Sequence, residues 1–145
     1  DHAQIASVNG VIDYFEAIDA HHFDASADST KTSRVGALLH RAETENLEPL
    51  LDFLKQRKGI NLIGKPTTDN RAPTVSFTVD GVDPEIIAEK LAKQRIGIAN
   101  GNCYAYRLME ALGIHPERGV VRLSFVHYTS KEEVRRLIDA LADII

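Results

Sequence analysis

The 145-residue chain has one cysteine, Cys103, one methionine, no tryptophan and five prolines. A single cysteine cannot form an internal disulfide, which suits a reducing compartment and gives a cytoplasmic location as the expectation. No apolar run approaches the ~18 residues that a membrane span needs. The opening Asp1-His2-Ala3-Gln4 carries no basic segment followed by an apolar one, so no secretory signal is expected. Basic charge is not in excess: 17 Lys and Arg against 21 Asp and Glu leave a formal net charge of −4. A broad nucleic-acid footprint is therefore not expected either. The phosphate-loop, dinucleotide, nucleophile-elbow and zinc-helix motifs are all missing. His21-His22, with His2 and His40, has no cysteine or acid at ligand spacing, so no metal site is expected. Lys31 follows no apolar strand or glycine-rich loop and reads as a surface lysine. What remains is an ordinary globular composition, 43% hydrophobic and 26% charged, enough for one domain over residues 1–145.

Hydrophobic spacing sets out the elements. Ile5, Val8, Ile12, Phe15 and Ile18 recur at three and four residues, predicting an amphipathic helix over 4–20. A second helix should open near Ser29-Thr30 and carry Val35, Leu38 and Leu39, then Leu47, Leu50, Leu51 and Leu54. Pro49 should kink or restart it, and Gly59 should close it. Residues 60–64 and 73–80 read as strands, the second strictly alternating, with Thr74, Ser76 and Thr78 on a wet face. Asp83-Pro84-Glu85 is a helix start. A brief strand over 96–99, a turn at Asn100-Gly101-Asn102, a short helix over 104–112 and a strand over 119–127 follow. Ser130-Lys131-Glu132-Glu133 is a capping box opening the last helix. The fold class expected is α+β: a three- to four-stranded mixed or antiparallel sheet covered by helices, preceded by a long helix. The 73–99 segment could also be a tight parallel crossover.

Two places carry possible chemistry. Arg122 stands in the otherwise apolar Val120-Val121-Arg122-Leu123-Ser124-Phe125-Val126. A guanidinium facing a core costs several kcal/mol unless paired. Facing a cleft, its planar fork suits bidentate capture of a carboxylate; otherwise it lies on a wet face paired with an acid. The Asn100-Gly101-Asn102-Cys103-Tyr104 turn leads from a strand into a helix and brings a thiol and a phenol into one loop. Cys103 is either an activated thiol or a small buried apolar side chain.

The stretch from Gly119 to Val134, with Val121-Arg122-Leu123-Ser124, Tyr128-Thr129 and Glu132-Glu133-Val134, resembles the end of class V aminotransferases, the group containing cysteine desulfurases and selenocysteine lyases. Gly97 to Met109 looks like the family's loop before its last short helix. Residues 9–17 look like the helix connecting its large and small domains. The resemblance spans nearly the whole chain. It implies pyridoxal phosphate (PLP) chemistry on an amino acid, a homodimeric enzyme, and a chain that is its C-terminal small domain. The large domain and the cofactor-bearing lysine would lie upstream of Asp1, so this chain alone would be inactive and bind no cofactor. Arg122 matches the arginine that grips the substrate carboxylate. Tyr104, Asn100, Asn102 and Cys103 would line the entrance. Against desulfurases whose loop reads G-H-H-C-A, the persulfide position falls on Tyr104, with Cys103 one residue early. The competing expectation is a self-standing, non-catalytic α+β binding module. It differs in predicting that the Ile5, Val8, Ile12 and Phe15 stripe is buried.

Overall fold

The computed structural model describes residues 2–24 and 30–145, in two compact units, 1–42 and 43–145. In the first, the predicted helix over 4–20 is two helices, α1 (His2–Ala6) and α2 (Val8–His22). The break falls at Ser7, whose hydroxyl donates to the Gln4 carbonyl at 2.7 Å, while Gly10 N–H reaches back only three residues to Ser7. A side chain that takes up a backbone carbonyl in this way competes with the regular ladder. The apolar stripe is exposed at Ile5 (71%), Val8 (56%) and Ile12 (55%) and half-buried at Phe15 and Ile18. Ser29 lies outside the described residues. The adjacent Thr30 hydroxyl accepts from Ser33 N–H at 3.4 Å where α3 (Lys31–Lys55) begins.

Within that first unit α2 and α3 are clasped by a fork. Arg34 Nε and Nη2 donate to the two Asp19 carboxylate oxygens at 2.5 and 2.7 Å, and the guanidinium lies 5.5 Å from the centre of the Phe23 ring. The Arg34 hydrogen bond holds the Asp19 carboxyl below its ordinary range against some desolvation, and Asp19 raises Arg34 in turn. A depressed carboxyl pKa adds stability above the unfolded value of ~4 and loses it as pH falls through the folded value. We therefore expect helical circular dichroism to show an acid transition below pH ~4 that Asp19→Asn removes, the variant having already lost the clasp at neutral pH. An unchanged acid profile in the variant would contradict this.

The α3 helix continues through Pro49 and does not restart there. An interior proline costs about 3 kcal/mol. Pro49 is exposed, whereas Leu47, Leu50, Leu51 and Leu54 are at most 2% exposed. Burying four leucines at about 1.5–3 kcal/mol each outweighs the missing hydrogen bond.

The second unit is built on a sheet of β1 (Ile60–Ile63), β2 (Thr74–Val79), β3 (Ala99–Gly101) and β4 (Val120–Ser124), ordered β1-β2-β4-β3 and antiparallel throughout. Both β2 and β3 run antiparallel to β4, so they are parallel to each other with β4 between them. The crossover between them is α4 (Pro84–Lys93), making a split βαβ unit rather than an adjacent pair. Asp83 caps α4 as expected, accepting from Glu85 N–H at 3.0 Å. β3 starts at Ala99 rather than 96, because the chain leaving α4 is still tied back by Ile96 N–H to the Leu91 carbonyl after a left-handed Arg95. Ile96 and Ile98 pack on the core without joining the ladder. α5 (Tyr106–Ala111) and α6 (Lys131–Ala142) complete the chain. Ser130 and Glu133 form the reciprocal box at the start of α6. Val75 and Phe77 of β2 and Val121 and Leu123 of β4 join Leu50, Ile87, Leu91, Leu137 and Leu141 in one core. The helices supplying it therefore cover a single face of the sheet, and the opposite face carries Thr74, Ser76, Thr78 and Arg122.

Candidate functional site

β4 alternates strictly. Val121 and Leu123 enter the core, which sends Val120, Arg122 and Ser124 to the other face. That face is closed at its Val120 end, where Val120 is 2% exposed, and open at its Ser124 end. Arg122 is half-buried, with Ser76 of β2 directly opposite on one side and Ala99 of β3 on the other. Among the described residues its guanidinium has no ion pair and no hydrogen bond. A partly buried cation without a counter-charge is costly unless something anionic completes it.

The predicted loop lies next along. Gly101, Cys103 and Tyr104 have φ of +101°, +50° and +63°. Two consecutive non-glycine residues in the left-handed region cost of order 1–2 kcal/mol each. Asn102 meets part of that cost: its Oδ1 accepts from Tyr104 N–H at 3.1 Å, its carbonyl accepts from Ala105 N–H at 2.8 Å, and its Nδ2 donates to the Pro116 carbonyl at 3.3 Å. Both ends of the Asn102 side chain are thus committed to shaping the loop. Cys103 is half-buried, its Sγ 3.8 Å from the Gly101 carbonyl, while Tyr104 is fully exposed. Asn100 pairs with Val121 and so takes the helix-side face, opposite to Arg122.

The far end of β4 is held by a second set of contacts. Thr129 Oγ1 accepts from Val126 N–H at 3.1 Å, and the buried Asn46 of α3 donates to the Thr129 carbonyl at 2.6 Å. A cleft of about 230 Å³ opens beside it, lined by Ile96, Ile98, Phe125, Tyr128, Glu133 and others, without Arg122. Glu133 is kept ionised below its usual range by the Ser130 backbone and hydroxyl. Among the described residues no three His, Cys, Asp or Glu side chains come together as a metal site, and no helix is long and apolar enough to cross a membrane.

The residues present do not fit pyridoxal phosphate by themselves. Anchoring that cofactor takes a lysine set in a pocket. All seven lysines here are exposed, with Lys31, Lys55 and Lys131 paired to Glu16, Asp52 and Glu45. Sequence reasoning located Arg122 and the strained loop but missed Ser76 as the arginine's neighbour. The alternation put Ser76 on a polar face, and only the strand register places it opposite residue 122.

The Aminotransferase class-V family profile matches residues 2–137. An aminotransferase-like protein, FGM3, of Gibberella zeae is 36% identical over 99 residues, 66% of this chain and 25% of its own length. A probable cysteine desulfurase of Pseudomonas putida is 30% identical over 139 residues, 96% of this chain and 29% of its own. In three dimensions the chain is similar to the apo cysteine desulfurase of Thermococcus onnurineus NA1, with a TM-score of 0.69 and 28% identity over 78% of this chain and 28% of that one. The chain spans about a quarter to a third of the length of these relatives. With that match running almost from end to end, and an antiparallel sheet backed by helices on one face, the chain belongs to the class-V aminotransferase family.

Proposed function

We propose that this chain is the C-terminal small domain of a PLP-dependent class V aminotransferase or cysteine desulfurase-like enzyme that acts on an amino acid. Its chemical contribution is Arg122, which receives the substrate α-carboxylate. The observation carrying this is the half-buried Arg122, which makes no ion pair among the described residues, on the sheet face that the helices leave open. A bidentate carboxylate would supply the missing charge with two parallel hydrogen bonds.

The cofactor belongs to a large domain outside this chain; when bound there it supplies an electron sink. That division is supported by the exposed lysines and by the quarter-to-third share of the relatives' length. It is supported too by the exposed Ile5, Val8 and Ile12, which a self-contained binding module would bury. Tyr104, on its strained loop, would line the entrance, with Cys103 beside it. The complete enzyme would be a cytoplasmic homodimer, and this chain alone inactive.

Arg122→Ala in the full-length protein is the test. Two charge-assisted hydrogen bonds are worth about 3 kcal/mol together, so kcat/KM for the amino acid should fall about 100-fold. Turnover within twofold of the parent would remove the carboxylate role.

A further inference from the structure

Ser76 lies directly opposite Arg122 in the β2–β4 register, on the same face of the sheet. Directly opposed residues have Cβ atoms about 4.5–5.5 Å apart, within reach of a shared small ligand. Of the diagonal hydroxyls, Thr74 Oγ1 is committed, lying 3.2 Å from Ser124 Oγ, while Thr78 stands two residues along β2 from the position opposite the guanidinium. Across β4, Ala99 offers only a methyl group. Among the described residues the half-buried Ser76 hydroxyl takes part in no hydrogen bond. Directly opposite Arg122 there is thus an uncommitted donor on the β2 side and none on the β3 side. A carboxylate has about four lone-pair positions, and a guanidinium fork fills two.

We infer that Ser76 is a second carboxylate-binding residue, its hydroxyl donating to an oxygen of the acid that Arg122 holds. This rests on the carboxylate role proposed for Arg122. It adds an asymmetry: the bound acid is tied toward β2, which leaves its substituents directed to the Ala99 side.

The test is the dissociation constant of propionate, a plain carboxylate with no amino group, measured by ligand-observed NMR on the full-length protein. Ser76→Ala should weaken propionate about tenfold without lowering the thermal midpoint, and Ser76→Thr, which keeps the hydroxyl, should stay within about threefold of the parent. Unchanged affinity in Ser76→Ala, alongside a large loss in Arg122→Ala, overturns the Ser76 assignment and leaves the arginine site standing. Unchanged affinity in Arg122→Ala overturns both. A loss in Ser76→Ala that Ser76→Thr does not rescue, or that comes with a lowered midpoint, also overturns it, because a packing defect would then account for the loss.

Discussion

Gly119→Ala should lose about 3 kcal/mol or more of stability, read from the urea midpoint, together with the β3–β4 pairing. A Cβ at 119 would stand 2.0 Å from the Gly101 carbonyl carbon, 2.1 Å from its oxygen and 2.5 Å from Asn102 N. These are backbone atoms, so no side chain can rotate out of the way. The φ of +65° adds strain of its own. The two glycines are bridged to each other, and between them they bring the start of β4 against the end of β3. The variant must displace one strand from the other, and amide shifts over 99–104 should move with the loss of stability. Gly36→Ala is the matching control. It meets nothing within 4 Å, lies inside α3, and should raise stability by up to about 1 kcal/mol. A Gly119→Ala protein as stable as its parent would show that the close approach is not maintained in solution.

Phe77→Ala comes next in size. Phe77 is fully buried at the middle of β2, paired with Leu62 on one side and Val121 on the other. Removing a buried phenyl ring costs about 3–5 kcal/mol, transfer and cavity together. Domains of this kind hold only about 5–15 kcal/mol in all. The urea midpoint should fall by a large fraction. Because Ser76 precedes Phe77 on the same strand, the arginine's neighbour loses its footing with it. Ile86→Ala, on the outer side of α4 at 47% exposure, should cost under 1 kcal/mol. Equal losses in the two variants would contradict the assignment of the core.

Much of this was legible in the sequence because it depends on neighbours along the chain. The alternation of 74–79, the Asp83-Pro84-Glu85 start and the Ser130–Glu133 box are local devices, and each formed where its residues are written. The same holds for the conspicuous arginine among apolar residues at 122. Where local signals competed with packing, packing decided. Pro49 was read as a kink or a restart, and with four leucines buried around it the helix does not restart there. At 96–99 the apolar pair Ile96 and Ile98 suggested a strand, yet those side chains are held by the core while the ladder begins three residues later. The contact of Gly119 with Gly101 and the alignment of Ser76 with Arg122 join positions 18 and 46 residues apart. No spacing rule reaches that far, since register is settled by which faces are buried once strands meet.

The order β1-β2-β4-β3 has a consequence for how the domain is made. The strand that bears the guanidinium is the last of the four to be synthesised, yet it occupies an interior position. A nascent polypeptide can close the β1–β2 hairpin early, but β3 has no neighbour to join until the ribosome has delivered residues 120–124. Every contact around the arginine is therefore assembled late and all at once, between segments that have been waiting unpaired.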